Sequence, residues 1–187
     1  MENKIVFLRG KKTIMRPYQK DTDLDLMTAW VNDPDVTRFI TVWSPMTKDA
    51  ENGYLQGATN DENMLLVIET TEGQPIGSTA LHRIDWINRT AVTGTVIGNK
   101  EFWGKGYGTD AKMQLLHFAF NRMNLRAIRS SVIAYNVRSH KALLKQGYRQ
   151  VGVFPKWFFR DGKYHDEILF VLTKKDFAPV WRAYSTK

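Results

Sequence analysis

Three glycines at alternate positions, Gly104, Gly106 and Gly108, are the residues whose spacing points most clearly to chemistry. Glycine allows positive φ angles and leaves the backbone N–H groups of a loop uncovered. The helix predicted to begin at Thr109 adds N–H groups without intrahelical partners and a partial positive charge, and Lys105 adds a cation. The segment predicts a cradle for an anion, most naturally a pyrophosphate; an ordinary glycine-rich turn is the alternative.

Two common phosphate-binding loops do not match this segment. A Walker loop needs Gly-Lys-Ser or Gly-Lys-Thr after a GxxxxG pattern, and the sequence lacks it. A dinucleotide-binding loop needs GxGxxG directly after the first strand, with an acidic residue later. Here the loop reads GKGYG and follows several predicted strands, more than halfway along the chain.

The elements that must position the loop are read from hydrophobic periodicity and turn signals. Strands are predicted over 5–8, 13–16, 64–70, 75–84, 90–98, 127–135, 148–159 and 164–172. One helix is predicted to begin at Asp21 or Thr22 and to end at Pro34. Further helices are predicted over 47–58, 109–123, 137–146 and 174–184.

The order of these elements predicts a mixed α/β fold. Closely spaced strands with short polar turns indicate an antiparallel meander. A strand–helix–strand–helix stretch then gives a parallel crossover, and Asp161-Gly162 marks the turn of a C-terminal hairpin. The 187 residues with 43% hydrophobic content suit one domain over 1–187.

Composition excludes several function classes. The chain has no cysteine, so it has no disulfide, thiol nucleophile or cysteine zinc site. Its four histidines lack ligand spacing, and no metal is expected. Because no apolar run approaches the ~20 residues that span a bilayer, and the N-terminus carries charge where a signal peptide is apolar, we expect a soluble cytoplasmic protein without a membrane partner. The net charge of +8 favours anionic ligands.

Four segments resemble one known family. WGKGYGTDA is similar to the acetyl-CoA pyrophosphate loop of the GNAT superfamily of N-acetyltransferases, and most similar to its branch of ribosomal-protein alanine and serine N-acetyltransferases. YNVRSHKALLKQGYRQVGVF resembles the family's second motif, and FFRDGKYHDEILFVL its C-terminal hairpin. MRPYQKDTDLDLMTAW resembles the opening strand and helix of that branch. The resemblance covers nearly the whole chain and implies the GNAT fold.

The resemblance implies acetyl-CoA as co-substrate and places its binding residues. The backbone of Val96, Ile97 and Gly98 is expected to pair with the pantetheine arm, in a wedge between this strand and the strand over 127–135. One backbone N–H there would polarise the thioester carbonyl. The pyrophosphate is expected to be held by Gly104, Lys105, Gly106, Tyr107, Gly108 and Thr109.

Asn136 and Ser139 stand where the family places polar contacts to the cofactor, close to its sulfur and arm. For Asn136 the alternative is a cap on the helix over 137–146, since asparagine is a favoured N-cap. For Ser139 the alternative is a solvated residue in the first turn of that helix.

The implied reaction is direct attack of a neutral amine on the thioester in a ternary complex. Since a free amine is mostly protonated at neutral pH, a proton must be removed. Many family members carry a glutamate where Val92 stands and a tyrosine where Leu143 stands, so neither base nor acid is assigned by resemblance. Trp103 replaces a common Gln or Arg, as is usual in the branch named above.

Three residues are the candidates for the catalytic site: His82, Asn136 and Asp166. Histidine is the side chain best suited to proton transfer at neutral pH, and Asp85, Tyr135 and His165 lie close to these candidates in sequence. The alternatives are a packed histidine, an aspartate paired with Arg or Lys, and catalysis by positioning and ordered water alone.

The run Trp157-Phe158-Phe159 puts successive aromatic side chains on alternate faces of a predicted strand. A substrate pocket is one use, and core packing or contact with a second copy in a homodimer is the alternative.

The acceptor could be a protein N-terminus, a small-molecule amine or an antibiotic amine. A non-catalytic CoA-binding regulatory module is the alternative function. Sequence-specific nucleic-acid binding is not expected, because no known nucleic-acid-binding motif is present.

Overall fold

The computed structural model describes residues 5–186. Its elements, in chain order, are β1 (Leu8–Arg9), β2 (Thr13–Arg16), α1 (Lys20–Asn32), α2 (Pro34–Thr37), α3 (Lys48–Gly57), β3 (Met64–Thr70), β4 (Pro75–Asp85), β5 (Thr90–Ile97), a 3₁₀ turn (Lys100–Phe102), α4 (Tyr107–Asn121), β6 (Ala127–Ile133), α5 (Val137–Lys145), β7 (Arg149–Arg160), β8 (Lys163–Thr173) and α6 (Lys174–Ser185). Within residues 5–186, no helix is both long and apolar enough to cross a membrane.

The strands form one eight-stranded sheet in the order β1-β2-β3-β4-β5-β6-β8-β7. The pairs β1–β2, β2–β3 and β3–β4 are antiparallel, β5 and β6 run parallel, and β8 is antiparallel to both β6 and β7. The predicted mixed α/β fold, with its meander, parallel crossover and C-terminal hairpin, is confirmed.

Residue contacts divide the chain into two compact units. The first unit contains the segment up to His82 and Gly94–Leu116, and the second contains Arg83–Thr93 and the segment from His117 onward. The strands β4 and β5 and the helix α4 each run from one unit into the other.

The helix α1 begins earlier than its sequence predicts. Asp21 and Thr22 were expected to cap it, but the helix starts at Lys20 with Gln19 in the cap position. The Asp23 carboxylate accepts hydrogen bonds from the Gln19 backbone N–H at 2.8 Å and from Arg16 Nη2, seven residues before it, at 2.7 Å. These contacts draw the preceding residues into the first turn.

The helix α4 also starts two residues before the predicted Thr109. Gly106 has a φ of +89°, and its carbonyl oxygen accepts the first helical hydrogen bond from the Asp110 N–H at 2.9 Å. Tyr107 and Gly108 therefore lie in the helix. The first N–H groups of a helix have no intrahelical acceptor, so the N–H groups nearest the glycine loop belong to these residues as well as to Thr109.

In the second unit, the turn of the C-terminal hairpin is as predicted. Asp161 and Gly162 join β7 to β8 with φ angles of +49° and +77°. Two consecutive positive φ angles are typical of a type I′ turn, which matches the twist of the strands that it joins.

Candidate functional site

The end of β5 is fixed from two directions within the first unit. The Gly98 N–H donates to the Ile76 carbonyl oxygen at 2.9 Å, toward β4. Since successive residues of a strand point their backbone groups to opposite sides, Val96 shares the β4 side and Ile97 points the other way. Of the three residues predicted to pair with pantetheine, Ile97 is the one whose N–H and carbonyl face away from β4.

Trp103 connects this strand to the glycine loop. Its indole Nε1–H donates to the Ile97 carbonyl oxygen at 2.6 Å, and its ring meets Phe39 edge-on at 6.3 Å between centroids. Gly98 lies against Trp30, because a Cβ on Gly98 would come within 2.1 Å of the Trp30 ring. The Ile97 carbonyl is thus engaged by Trp103.

The glycine loop is open on its outer side. Gly104 and Gly106 have φ angles of +74° and +89°, and in the part of the chain that the structure describes a Cβ on either would meet no atom within 4 Å beyond its chain neighbours. Gly108 differs, since a Cβ there would lie 3.3 Å from Ile97 Cγ1. The first two glycines therefore supply uncovered, left-handed backbone, and the third allows the helix to approach β5 closely.

Sequence reasoning missed a carboxylate beneath this loop. Asp110, in the first turn of α4, is 4% exposed. Its oxygens accept hydrogen bonds from the backbone N–H groups of Lys11 at 3.1 Å and Lys12 at 3.0 Å and from Thr13 Oγ1 at 2.7 Å. We call these contacts the Asp110 clamp. They fix the β1–β2 turn to the start of α4, and only the Asp in GYGTDA hinted at them.

In the second unit, the parallel ladder joins Thr90, Ala91 and Val92 of β5 to β6. At the next residue, the Thr93 carbonyl oxygen accepts a hydrogen bond from Ser130 Oγ at 3.2 Å, and Thr93 Oγ1 lies 2.9 Å from the Tyr148 hydroxyl oxygen. Burial raises the pKa of Tyr148. This buried hydroxyl pair holds β5 where the ladder gives way to side-chain contacts, and no sequence pattern predicts it.

The N-cap interpretation of Asn136 is directly visible. Asn136 is 8% exposed and its Oδ1 accepts a hydrogen bond from the Ser139 N–H at 3.1 Å. The backbone turns tightly here, because the Val137 N–H donates to the Tyr135 carbonyl oxygen at 2.9 Å. The two predicted cofactor contacts, Asn136 and Ser139, are therefore brought together in one helix cap.

His82 is half-buried at the end of the first unit's part of β4, and its ring lies over Gly94. A Cβ on Gly94 would lie 3.6 Å from His82 Nε2. Asp85, beyond it on β4, accepts hydrogen bonds from the Asn88 backbone N–H at 2.7 Å and from Asn88 Nδ2 at 2.8 Å. The side-chain bond from Asn88 lowers the pKa of Asp85, which fits a turn-forming aspartate better than a base.

Asp166 supports a bulge in the C-terminal hairpin. Its Oδ1 accepts a hydrogen bond from the Lys156 backbone N–H at 2.8 Å, and Lys156 has a φ of +53°. The β7–β8 register shifts between Phe154 and Phe158 at this point. Beside it, the His165 and Tyr135 rings meet edge-on with centroids 4.7 Å apart.

The aromatic run alternates as predicted. The side chains of Trp157 and Phe159 are 62% and 54% exposed, and Phe158 between them is half-buried. The Leu143 position, where many family members carry a tyrosine, is 2% exposed. That position is core in this chain and holds no acid.

Comparison with known proteins identifies the family. The family model of the acetyltransferase (GNAT) domain matches residues 12–149. The chain belongs to the GNAT acetyltransferase family. It is accordingly an N-acetyltransferase, like its similar curated relatives.

Two bacterial relatives illustrate the similarity. The uncharacterized N-acetyltransferase p20 of Bacillus licheniformis is 26% identical over 162 residues, which cover 83% of this chain and 90% of that protein. YdaF of Bacillus subtilis (strain 168), provisionally named a ribosomal N-acetyltransferase, is 30% identical over 105 residues, or 56% of this chain and 57% of that protein.

Solved structures show the same fold. The spermidine N-acetyltransferase of Vibrio cholerae, in complex with CoA and spermine, superposes with a TM-score of 0.80 at 21% identity and covers 89% of this GNAT chain and 98% of its own. A GNAT-family acetyltransferase of Bacillus anthracis superposes with a TM-score of 0.77 at 21% identity, covering 90% of this chain and 99% of its own.

Proposed function

We propose that this GNAT enzyme transfers the acetyl group of acetyl-CoA to a primary amine by direct attack in a ternary complex. The observation that carries the proposal is the open glycine loop at the start of α4. Gly104 and Gly106 hold positive φ angles, and within residues 5–186 no atom beyond their chain neighbours lies within 4 Å of an added Cβ. Uncovered backbone at a helix N-terminus is suited to phosphate oxygens, so the residues present fit the pyrophosphate of acetyl-CoA.

The proposed cofactor residues divide by task. The loop from Gly104 to Thr109, with Lys105, binds the pyrophosphate. At the end of β5, the Ile97 N–H is the donor proposed for the pantetheine arm, with Val96 and Gly98 shaping that strand. Asn136 and Ser139 are proposed as further polar contacts.

The proposed acetyl transfer does not depend strongly on any single catalytic side chain. Holding an amine against a thioester can lower the barrier by several kcal/mol, on the order of 7–11 kcal/mol in well-oriented systems. The remaining requirement is an acceptor for the proton that the ammonium loses, because only the neutral amine can attack the thioester. His82 is the proposed acceptor, directly or through water, because histidine is the side chain best suited to proton transfer at neutral pH.

Two classes of amine are proposed as the acceptor of the acetyl group. YdaF carries a ribosomal name, and the similar Vibrio cholerae enzyme was solved with spermine. We propose a protein N-terminus or a small-molecule amine, since both present the same nucleophile. A panel of N-terminal peptides and polyamines, followed by mass spectrometry for an added acetyl group, separates them. Acetyl-CoA binding without acetylation of any member would instead favour a regulatory CoA-binding module.

Calorimetric titration with acetyl-CoA tests the cofactor site. The native protein is expected to bind, and Gly106→Glu to bind at least tenfold more weakly, because a carboxylate would fill and repel the phosphate position. Gly162→Glu is the matched control, since Gly162 also has a positive φ of +77° and, among the described residues, no atom beyond its chain neighbours lies within 4 Å of a Cβ. Failure of well-folded native protein to bind acetyl-CoA would overturn the proposed function.

A further inference from the structure

The β1–β2 turn carries a lysine to the glycine loop. Lys12 Nζ donates a hydrogen bond to the Lys105 carbonyl oxygen at 3.1 Å and lies 5.7 Å from the centre of the Tyr107 ring. Both Lys105 and Tyr107 belong to the loop proposed to bind pyrophosphate. A lysine ammonium has three N–H donors, and the bond to Lys105 uses one of them.

The position of Lys12 is fixed by buried contacts. The Asp110 clamp holds the backbone N–H of Lys12 itself, and it closes on Thr13, which is 0% exposed. Gly10 makes room for the Asp110 carboxylate beside the turn, because a Cβ on Gly10 would lie only 2.1 Å from Asp110 Oδ2. The turn therefore cannot swing away from α4 without breaking three hydrogen bonds to a carboxylate that is shielded from water.

The clamp also stabilises the negative charge of the buried Asp110 carboxylate. An uncompensated carboxylate beneath the loop would repel an incoming phosphate. Two backbone N–H groups and the Thr13 hydroxyl stabilise that charge inside the protein, while Lys12 and Lys105 are exposed beside the loop. Lys12 and Lys105 thus lie at the exposed surface beside the loop, and the Asp110 carboxylate is buried.

We propose that Lys12 is a phosphate-binding residue of the acetyl-CoA site, and that Asp110 is the residue that positions it. The inference rests on the proposed function. The ligand group is a phosphate oxyanion of the CoA nucleotide, either the pyrophosphate or the 3′-phosphate. Lys12 recognises the phosphorylated part of the substrate and makes no contact with the reacting thioester.

Kinetics with two acyl donors test this role. Lys12→Met keeps the length of the side chain and removes its charge. Because a charge-assisted hydrogen bond contributes about 1.5–3 kcal/mol, we expect kcat/KM for acetyl-CoA to fall by about tenfold or more, mainly through KM. With S-acetylpantetheine, which has no phosphate diester or nucleotide, native protein and Lys12→Met should be equal within about twofold. Lys12→Arg should restore most of the loss.

Acetyl-dephospho-CoA, which lacks the 3′-phosphate but keeps the pyrophosphate, shows which of these two groups Lys12 binds. If Lys12 binds the 3′-phosphate, native protein and Lys12→Met will use acetyl-dephospho-CoA equally well. If it binds the pyrophosphate, the defect will persist with that donor. Lys20→Met, at the exposed start of α1, removes the same net charge and serves as the control for long-range electrostatics.

A double-mutant cycle that combines Asp110→Asn with Lys12→Met tests the positioning role of Asp110. The variant should weaken acetyl-CoA use, and its effect should largely disappear in the Lys12→Met background. If Asp110→Asn does not fold, the Lys12 series alone decides. Equal use of acetyl-CoA by native protein and Lys12→Met, or an equal loss with both donors, overturns the inference. Failure of the native protein to bind acetyl-CoA would instead remove the proposed function.

Discussion

The indole Nε1–H of Trp103 donates a hydrogen bond to the Ile97 carbonyl oxygen at 2.6 Å. This bond joins the last residue of β5 to the residue before Gly104, so it connects the strand proposed to pair with pantetheine to the loop proposed to bind pyrophosphate. A tryptophan can make this contact, whereas an aromatic residue without a ring N–H cannot.

Replacing Trp103 by phenylalanine tests that coupling. The change keeps an aromatic ring near Phe39 but leaves the Ile97 carbonyl without its donor, which costs about 1–3 kcal/mol for a shielded carbonyl. We expect KM for acetyl-CoA to rise severalfold in steady-state assays. Trp43→Phe is the control, because Trp43 is 86% exposed. Unchanged KM in Trp103→Phe would show that the loop holds its position without this bond.

Asn136 offers a way to separate a helix cap from a cofactor contact. Asn136→Asp keeps an oxygen that can accept from the Ser139 N–H, and Asn136→Ala removes it. Loss of an N-cap costs about 1 kcal/mol, so Asn136→Ala should lower the free energy of unfolding by that amount and Asn136→Asp should not. Both variants should impair acetyl-CoA use if the amide group contacts the cofactor.

The comparison is made by urea denaturation and by assay on the same preparations. Native activity in a stable Asn136→Asp variant would mean that capping alone accounts for this residue.

Lys112 makes stability depend on pH. This residue of α4 is 5% exposed, and desolvation lowers its pKa to about 7. An unfolded lysine has a pKa near 10.4, so between about pH 7 and pH 10 the unfolded chain binds the extra proton and native stability rises with pH. Lys112→Met removes this dependence.

Urea denaturation at about pH 7.5 and about pH 9.5 measures the effect. The free energy of unfolding of the native protein should gain roughly 2 kcal/mol relative to Lys112→Met across that interval. Lys20→Met, an exposed replacement of the same type, should follow the native curve. Parallel pH curves for the native protein and Lys112→Met would contradict the lowered pKa.

Sequence patterns predicted the elements that depend on local periodicity. β3 was predicted at its observed bounds, Met64–Thr70, and the Asp161-Gly162 turn and the crossover to β6 were also predicted. Helix starts were missed where side-chain contacts outside the helix pattern decide them, as when Arg16 binds Asp23 in the first turn of α1. Propensity contains no term for such a pairing.

The same distinction applies to the site. Glycine spacing marked the loop because positive φ angles leave a local signature. The Asp110 clamp and the Thr93–Tyr148 pair join residues that are far apart in sequence, and the Trp103–Ile97 bond joins a residue of the quoted motif to the strand before it. Their partners are chosen by packing of the folded chain, and a single sequence does not specify which side chains meet.

The bulge at Lys156 has a consequence for handling this protein. β7 ends the sheet, and its exposed apolar side chains, including Val151, Phe154 and Trp157, would suit edge-to-edge aggregation. The left-handed residue that Asp166 holds interrupts the flat edge that a growing fibril needs. Variants of Asp166 that are made to search for a catalytic base will therefore also make this edge strand more prone to aggregation. Their yield and light scattering should be measured before any loss of turnover is attributed to the chemical step.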